Sequence, residues 1–143
     1  MSQKRKTEQA RRRKTVLLVD RHALMRRAAA SWINHCPGLE ICGTASGTAQ
    51  AFRAVKRFHP DVVVSEIMQP QDLGFIRELH RRQPGLRILV FSMWEQAQYG
   101  AQARAAGASG YVMKEAGGAT LVRNICSVLR GRPNGSAGTP KRA

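Results

Sequence analysis

Three continuous apolar runs frame this chain. Val-Leu-Leu-Val at 16–19, Val-Val-Val at 62–64 and Ile-Leu-Val-Phe at 88–91 show no polar alternation, the pattern of strands covered on both faces of a parallel sheet. Two weaker runs, 39–45 interrupted by Gly43 and 109–113, complete a set of five strands. Between the strands, apolar residues recur at helical spacing. The first such segment, 23–35, places Leu24, Ala28, Trp32 and Ile33 on one face and turns Arg26 and Arg27 outward; Pro37-Gly38 stops it. The second begins near Ser46 or Thr48, either a candidate cap, and runs to Phe58. Asp72 is the predicted cap of a helix over 73–82 that Pro84-Gly85 ends. An alanine-rich helix over 95–106, with few large anchors and therefore expected to be mobile, stops at Gly107. The last helix, 118–129, points Leu121, Val122, Ile125 and Val128 inward. Strict alternation of strand and helix predicts the α/β class, with a five-stranded parallel doubly wound sheet.

Polar residues close the strands. Asp20 ends the first, Glu66 the third, Ser92 the fourth and Lys114 the fifth. In an open parallel sheet the ligand crevice lies at the carboxyl ends of the strands, so two carboxylates, a hydroxyl and an ammonium are expected to converge there. Ser65, beside Glu66, should point to the opposite face. His22, His35, His59 and His80 are scattered without paired spacing, which argues against a metal site. No catalytic triad or phosphate-binding glycine loop is present.

The Val-Leu-Leu-Val-Asp20 opening, the Pro60-Asp61-Val-Val-Val run with Glu66 four places before Pro70, Ser92, and Ala-Gly107-Ala-Ser-Gly110-Tyr111-Val-Met-Lys114 together resemble the receiver domain of bacterial response regulators, in particular those of LuxR-type transcription factors. The resemblance covers 15–130 and implies the flavodoxin-like receiver fold. It also implies phosphorylation of an aspartate at the place held here by Glu66, a magnesium ion held by paired acids at the end of the first strand, phosphoryl contacts from Ser92 and Lys114, and a conformational switch carried by Ser92 and Tyr111. This sequence departs from that pattern twice. Arg21 stands where the second acid belongs, and a guanidinium repels magnesium while offering it no oxygen. Glu66 carries its carboxylate roughly 1.5 Å further out than aspartate, and in-line attack tolerates little displacement. The degenerate pocket Asp20, Arg21, Glu66, Ser92 and Lys114 is therefore expected to bind magnesium weakly or not at all, to hold no cofactor and to catalyse nothing. Two readings follow. Arg21 and Lys114 neutralise Asp20 and Glu66 in a permanent imitation of the phosphorylated state, or the chemistry has simply been lost. Trp94, at the loop after Ser92, is placed either to report such a switch by fluorescence or simply to cover the crevice.

Charge adds a competitor. Of a net +15, the segment 1–14 contributes +6 through Lys4, Arg5, Lys6, Arg11, Arg12, Arg13 and Lys14 against Glu8, and 132–143 contributes +3. The expected organisation is a flexible basic arm at 1–14, a receiver domain at 15–131 and a linker-like tail at 132–143. The tail is too short to form the helix-turn-helix domain of LuxR-type regulators, so the chain reads as a receiver acting alone or as the regulatory piece of a longer product. One function is a phosphorylation-independent receiver acting by protein contact, as a homodimer or on a partner regulator, in signalling or transcription control. The other is a nucleic-acid binder whose basic tails neutralise phosphates, although no aromatic stacking platform or groove-reading helix is evident. Neither a signal peptide nor a membrane-spanning stretch is visible, so a cytoplasmic protein without membrane contact is expected. Cys36, Cys42 and Cys126 lack paired spacing and read as reduced, Cys126 in the core and Cys36 more accessible.

Overall fold

The computed structural model describes residues 13–131. Strands β1 (Lys14–Val19), β2 (Leu39–Ala45), β3 (Val62–Ser65), β4 (Arg87–Ser92) and β5 (Gly110–Met113) alternate with helices α1 (Ala23–Asn34), α2 (Thr48–Phe58), α3 (Asp72–Arg82), α4 (Gln96–Ala106) and α5 (Gly117–Leu129), the last preceded by a single 3₁₀ turn, Lys114–Ala116. All pairings are parallel, in the order β2-β1-β3-β4-β5. The predicted α/β doubly wound sheet is thus present, with every strand pointing its carboxyl end at one pole and every helix returning to the other.

The continuous apolar runs have the physical meaning expected of them. Val62, Val63 and Val64 are fully buried in the centre of the sheet, each contributing about 1.5–3 kcal/mol by removal from water. Alternate side chains feed two cores. Val63 joins Leu17, Ile76 and Leu79 on the α2–α3–α4 side; Val62 and Val64 join Ile33, Leu121 and Ile125 on the α1–α5 side. Gly107 ends α4 at φ 121° and allows His80 so close that a Cβ would lie 2.5 Å from its ring, so both backbone freedom and lack of bulk are used there. In α4, Gly100, Ala103 and Ala106 are buried, small side chains letting the helix lie close to its neighbours.

Several local expectations fail. Leu24 is 80% exposed; of the predicted stripe Ile33 is fully buried, while Ala29 rather than Ala28 joins it on the inward face of α1. Arg26 turns back to donate to the Asp20 carbonyl at 2.7 Å. Gly47 is the N-cap of α2, and neither Ser46 nor Thr48 caps it by a side chain; the Ser46 backbone and hydroxyl both donate to Gln50 Oε1 instead. Asp72 opens α3 without capping it. Cys36 and Cys126 are both partly buried, and none of the three cysteines forms a disulfide. In β2, the register passes from Val16–Ile41 to Leu17–Gly43, leaving Cys42 as an extra residue in a bulge.

Candidate functional site

The carboxyl pole of the sheet carries the only sizeable group of buried ionisable side chains among the described residues. Backbone pairing puts it there. The Glu66 amide donates to the Val19 carbonyl and the Asp20 amide to the Ala45 carbonyl, both at 3.0 Å, so each acid is still held by the sheet one residue beyond its strand. Asp20, Glu66 and Lys114 are 2%, 8% and 8% exposed. Charges so far from water persist only when paired and hydrogen-bonded, and these are: Lys114 Nζ lies 2.8 Å from Asp20 Oδ2 and 2.7 Å from Glu66 Oε1.

The remaining oxygens are also engaged. Glu66 Oε2 accepts the Arg21 amide at 3.2 Å, and Asp20 Oδ1 accepts the His22 amide at 2.8 Å. The His22 ring adds Nδ1 at 3.4 Å from both carboxylates. The Arg21 guanidinium stands 3.7 Å from Glu66 Oε2, but its principal partner is Asp72, which it grips with two nitrogens at 2.7 and 3.2 Å. Asp72 also accepts the amides of Met68 and Gln69 at 2.7 and 3.2 Å. One buried carboxylate thereby folds the β3–α3 loop and ties it to the β1–α1 loop. Burial pushes the Asp72 carboxyl up, yet the Arg21 guanidinium and the two loop amides together hold it below its ordinary value; the same hydrogen bond to Asp72 raises Arg21 further.

Ser92 is in the pocket wall but not on Glu66. Its hydroxyl donates to the Ile67 carbonyl at 2.8 Å and accepts the Trp94 amide at 3.0 Å. Ser92 thereby ties the loop after β3 to the loop after β4 rather than bonding Glu66. Tyr111 is 1% exposed; its hydroxyl donates to the Trp94 carbonyl at 2.8 Å, and burial raises its pKa above the ordinary 10. The Trp94 ring lies on Tyr99 with centroids 4.5 Å apart. Ser65 donates to the Glu66 carbonyl at 3.3 Å.

Asp20, His22 and Glu66 offer three ligand atoms within 4.8 Å of one another, but the set does not fit magnesium. That ion wants about six oxygens in octahedral array. Here one of the three donors is an imidazole nitrogen, and the Lys114 ammonium already bonds one oxygen of each carboxylate. The structure brings Asp20, Arg21, Glu66 and Lys114 together and adds His22 and Asp72, which the sequence pattern did not assign to the pocket. The available signal for Asp72 was an acid just beyond a proline-containing loop whose amides need an acceptor. Of the cations proposed for nucleic acid, Lys4, Arg5, Lys6, Arg11 and Arg12 lie outside the described residues. Arg13 is 3.8 Å from Glu40, and Lys14 opens β1.

Comparison with known proteins yields a match to the response regulator receiver domain over residues 16–126. The chain is 35% identical over 119 residues to the DNA-binding transcriptional activator DevR/DosR of Mycobacterium tuberculosis, covering 82% of this chain and 55% of that protein. It is 30% identical over 119 residues to the response regulator GacA of Pseudomonas aeruginosa, covering 82% and 56%. It thus spans about half the length of the curated relatives it matches. Among solved structures, a LuxR-family two-component response regulator from Aurantimonas sp. SI85-9A1 superposes with a TM-score of 0.80 at 31% identity, over 85% of this chain and 88% of that one. No helix among the described residues is long and apolar enough to cross a membrane.

Proposed function

Because the chain belongs to the response regulator receiver domain family, we propose that it is a receiver that works without phosphorylation, through protein contacts in signalling or transcription control, as a homodimer or docked on a partner regulator. The observation that supports this is the shared ammonium: Lys114 bonds Asp20 and Glu66 together while Arg21, in the place of a metal-binding acid, is held by Asp72. In that arrangement Glu66 has both oxygens occupied beside a donor set that does not fit magnesium, so it is a poor nucleophile. Its longer side chain instead carries a negative charge out to Lys114, the group that meets the phosphoryl oxygens in receivers. Charge balance that a receiver reaches by phosphorylation is built in here. Among the described residues, carboxylates so fully engaged support a non-enzymatic role for the pocket.

Incubation with a small phosphodonor and magnesium, followed by intact-mass measurement, is expected to show no added phosphoryl group. An adduct that disappears in Glu66→Gln would overturn the proposal. The imitation of charge is tested separately by light scattering and partner recovery: Glu66→Gln should change one of them, and a variant indistinguishable from the natural chain in both would reduce the pocket to lost chemistry.

A further inference from the structure

The opposite pole of the sheet has the reverse character. Parallel strands and returning helices bring every strand start and every helix end to that side, and the residues there are cationic. Arg13 and Lys14 enter β1, and Arg87 opens β4. Lys56 and Arg57 finish α2, Arg81 and Arg82 finish α3, and Arg130 follows α5. A Cβ on Gly131 would lie 3.5 Å from the Arg87 guanidinium, so the end of α5 and the start of β4 meet. The acids at this pole are already engaged, Glu40 with Arg13, Glu78 with Arg81 and Arg82, and Asp61 with the Thr15 amide and hydroxyl. Among the described residues no carboxylate pairs with Lys56, Arg57, Arg87 or Arg130. Helix dipoles favour cations at helix ends but give no reason for those at strand starts.

We propose that this pole is a docking surface for the phosphate backbone of nucleic acid, a role independent of the receiver reading above. A protein partner needs an apolar centre to its interface. The large exposed apolar side chain here is Phe58, 41% exposed, and the Arg57 guanidinium lies 5.4 Å from its ring centre. The other exposed large apolar residues, Leu24, Met68 and Met93, follow the carboxyl ends of strands at the far pole. Charge without an apolar centre is the signature of phosphate neutralisation, which positions a duplex without reading its sequence. The described residues both begin, at Arg13, and end, at Gly131, on this pole.

The test is fluorescence anisotropy of a labelled mixed-sequence DNA duplex with the full chain at physiological salt. Two variants of equal charge are compared: Lys56→Gln/Arg57→Gln/Arg130→Gln at the pole, and Arg27→Gln/Arg77→Gln/Arg123→Gln on exposed helix positions away from it. The pole variant should lose about tenfold or more in affinity, its salt slope falling by about 0.9 for each phosphate contact removed, while the control loses less than about threefold. Equal losses in the two variants, or no duplex binding by the natural chain, overturn the proposal. Sodium polyglutamate bound as tightly and with the same variant sensitivity would assign the pole to an acidic protein instead. Should the pole variant fold poorly, lysine acetylation of the natural chain decides: the duplex should protect Lys14 and Lys56, and protection confined to lysines 4, 6 and 141 overturns the proposal.

Discussion

Two ion pairs in this molecule have the same length and different consequences. Lys114 Nζ and Glu66 Oε1 are 2.7 Å apart, and so are Arg81 Nη2 and Glu78 Oε2. The first pair has side chains 5% exposed on both sides; the second has 71% and 35%. In the pocket, loss of one partner strands a charge that water cannot reach. On α3, water and salt take over whatever a partner gives up. Distance therefore says little about energy until burial is known, and the pocket is the place where charge is coupled to the fold.

The largest effect should come from Lys114→Met, which leaves two buried carboxylates without their cation and is expected to cost about 3–5 kcal/mol in urea unfolding. Adding Glu66→Gln to that variant should restore stability, with a coupling of about 0.5–3 kcal/mol; additive losses would mean that the pair is not energetically linked. Arg21→Ala is intermediate, about 1 kcal/mol, since its guanidinium is 39% exposed and partly screened. Its pH dependence has a definite sign. The Asp72 carboxyl is held below its ordinary 3.8 in the folded chain, so the stability it contributes is present above that value and is lost as pH falls through the lowered one. The gap in melting temperature between the natural chain and Arg21→Ala should accordingly close in acid. Smallest is Glu78→Gln. Arg81 and Arg82 hold the Glu78 carboxyl down to about 2, which ties any contribution to the range above its ordinary 4.5, lost as pH falls toward 2. At physiological salt the urea midpoint should not move, and a difference appearing only in low salt would confirm screening.

The pocket's main contacts were legible because parallel topology sends strand ends to one place: Asp20, Glu66 and Lys114 need only the order of strands to be brought together. What failed were choices among competing partners at short range. The Ser92 hydroxyl had Glu66 and a backbone carbonyl within its expected neighbourhood, and it took the carbonyl of Ile67. Asp72 was predicted to satisfy the amides of its own helix, yet the loop before it and Arg21, 51 residues away, claimed both oxygens. Leu24 illustrates a related failure. A helical wheel places residues relative to one another but does not say how the helix is rotated on the sheet, and α1 is turned so that Ala29 and Ile33 face inward. The basic pole was hidden for the opposite reason: its cations are scattered through the sequence as ordinary helix and strand termini, and only the closed fold collects them.

The bulge at Cys42 sits on one open border of the sheet. An open sheet has two unpaired borders, each a template for adding a foreign strand and so for fibrous aggregation. On one border, β2 carries an extra residue opposite β1, which increases local twist and spoils a straight row of donors and acceptors. On the other, β5 runs for only four residues before the 3₁₀ turn. Both borders are therefore poor templates for strand addition.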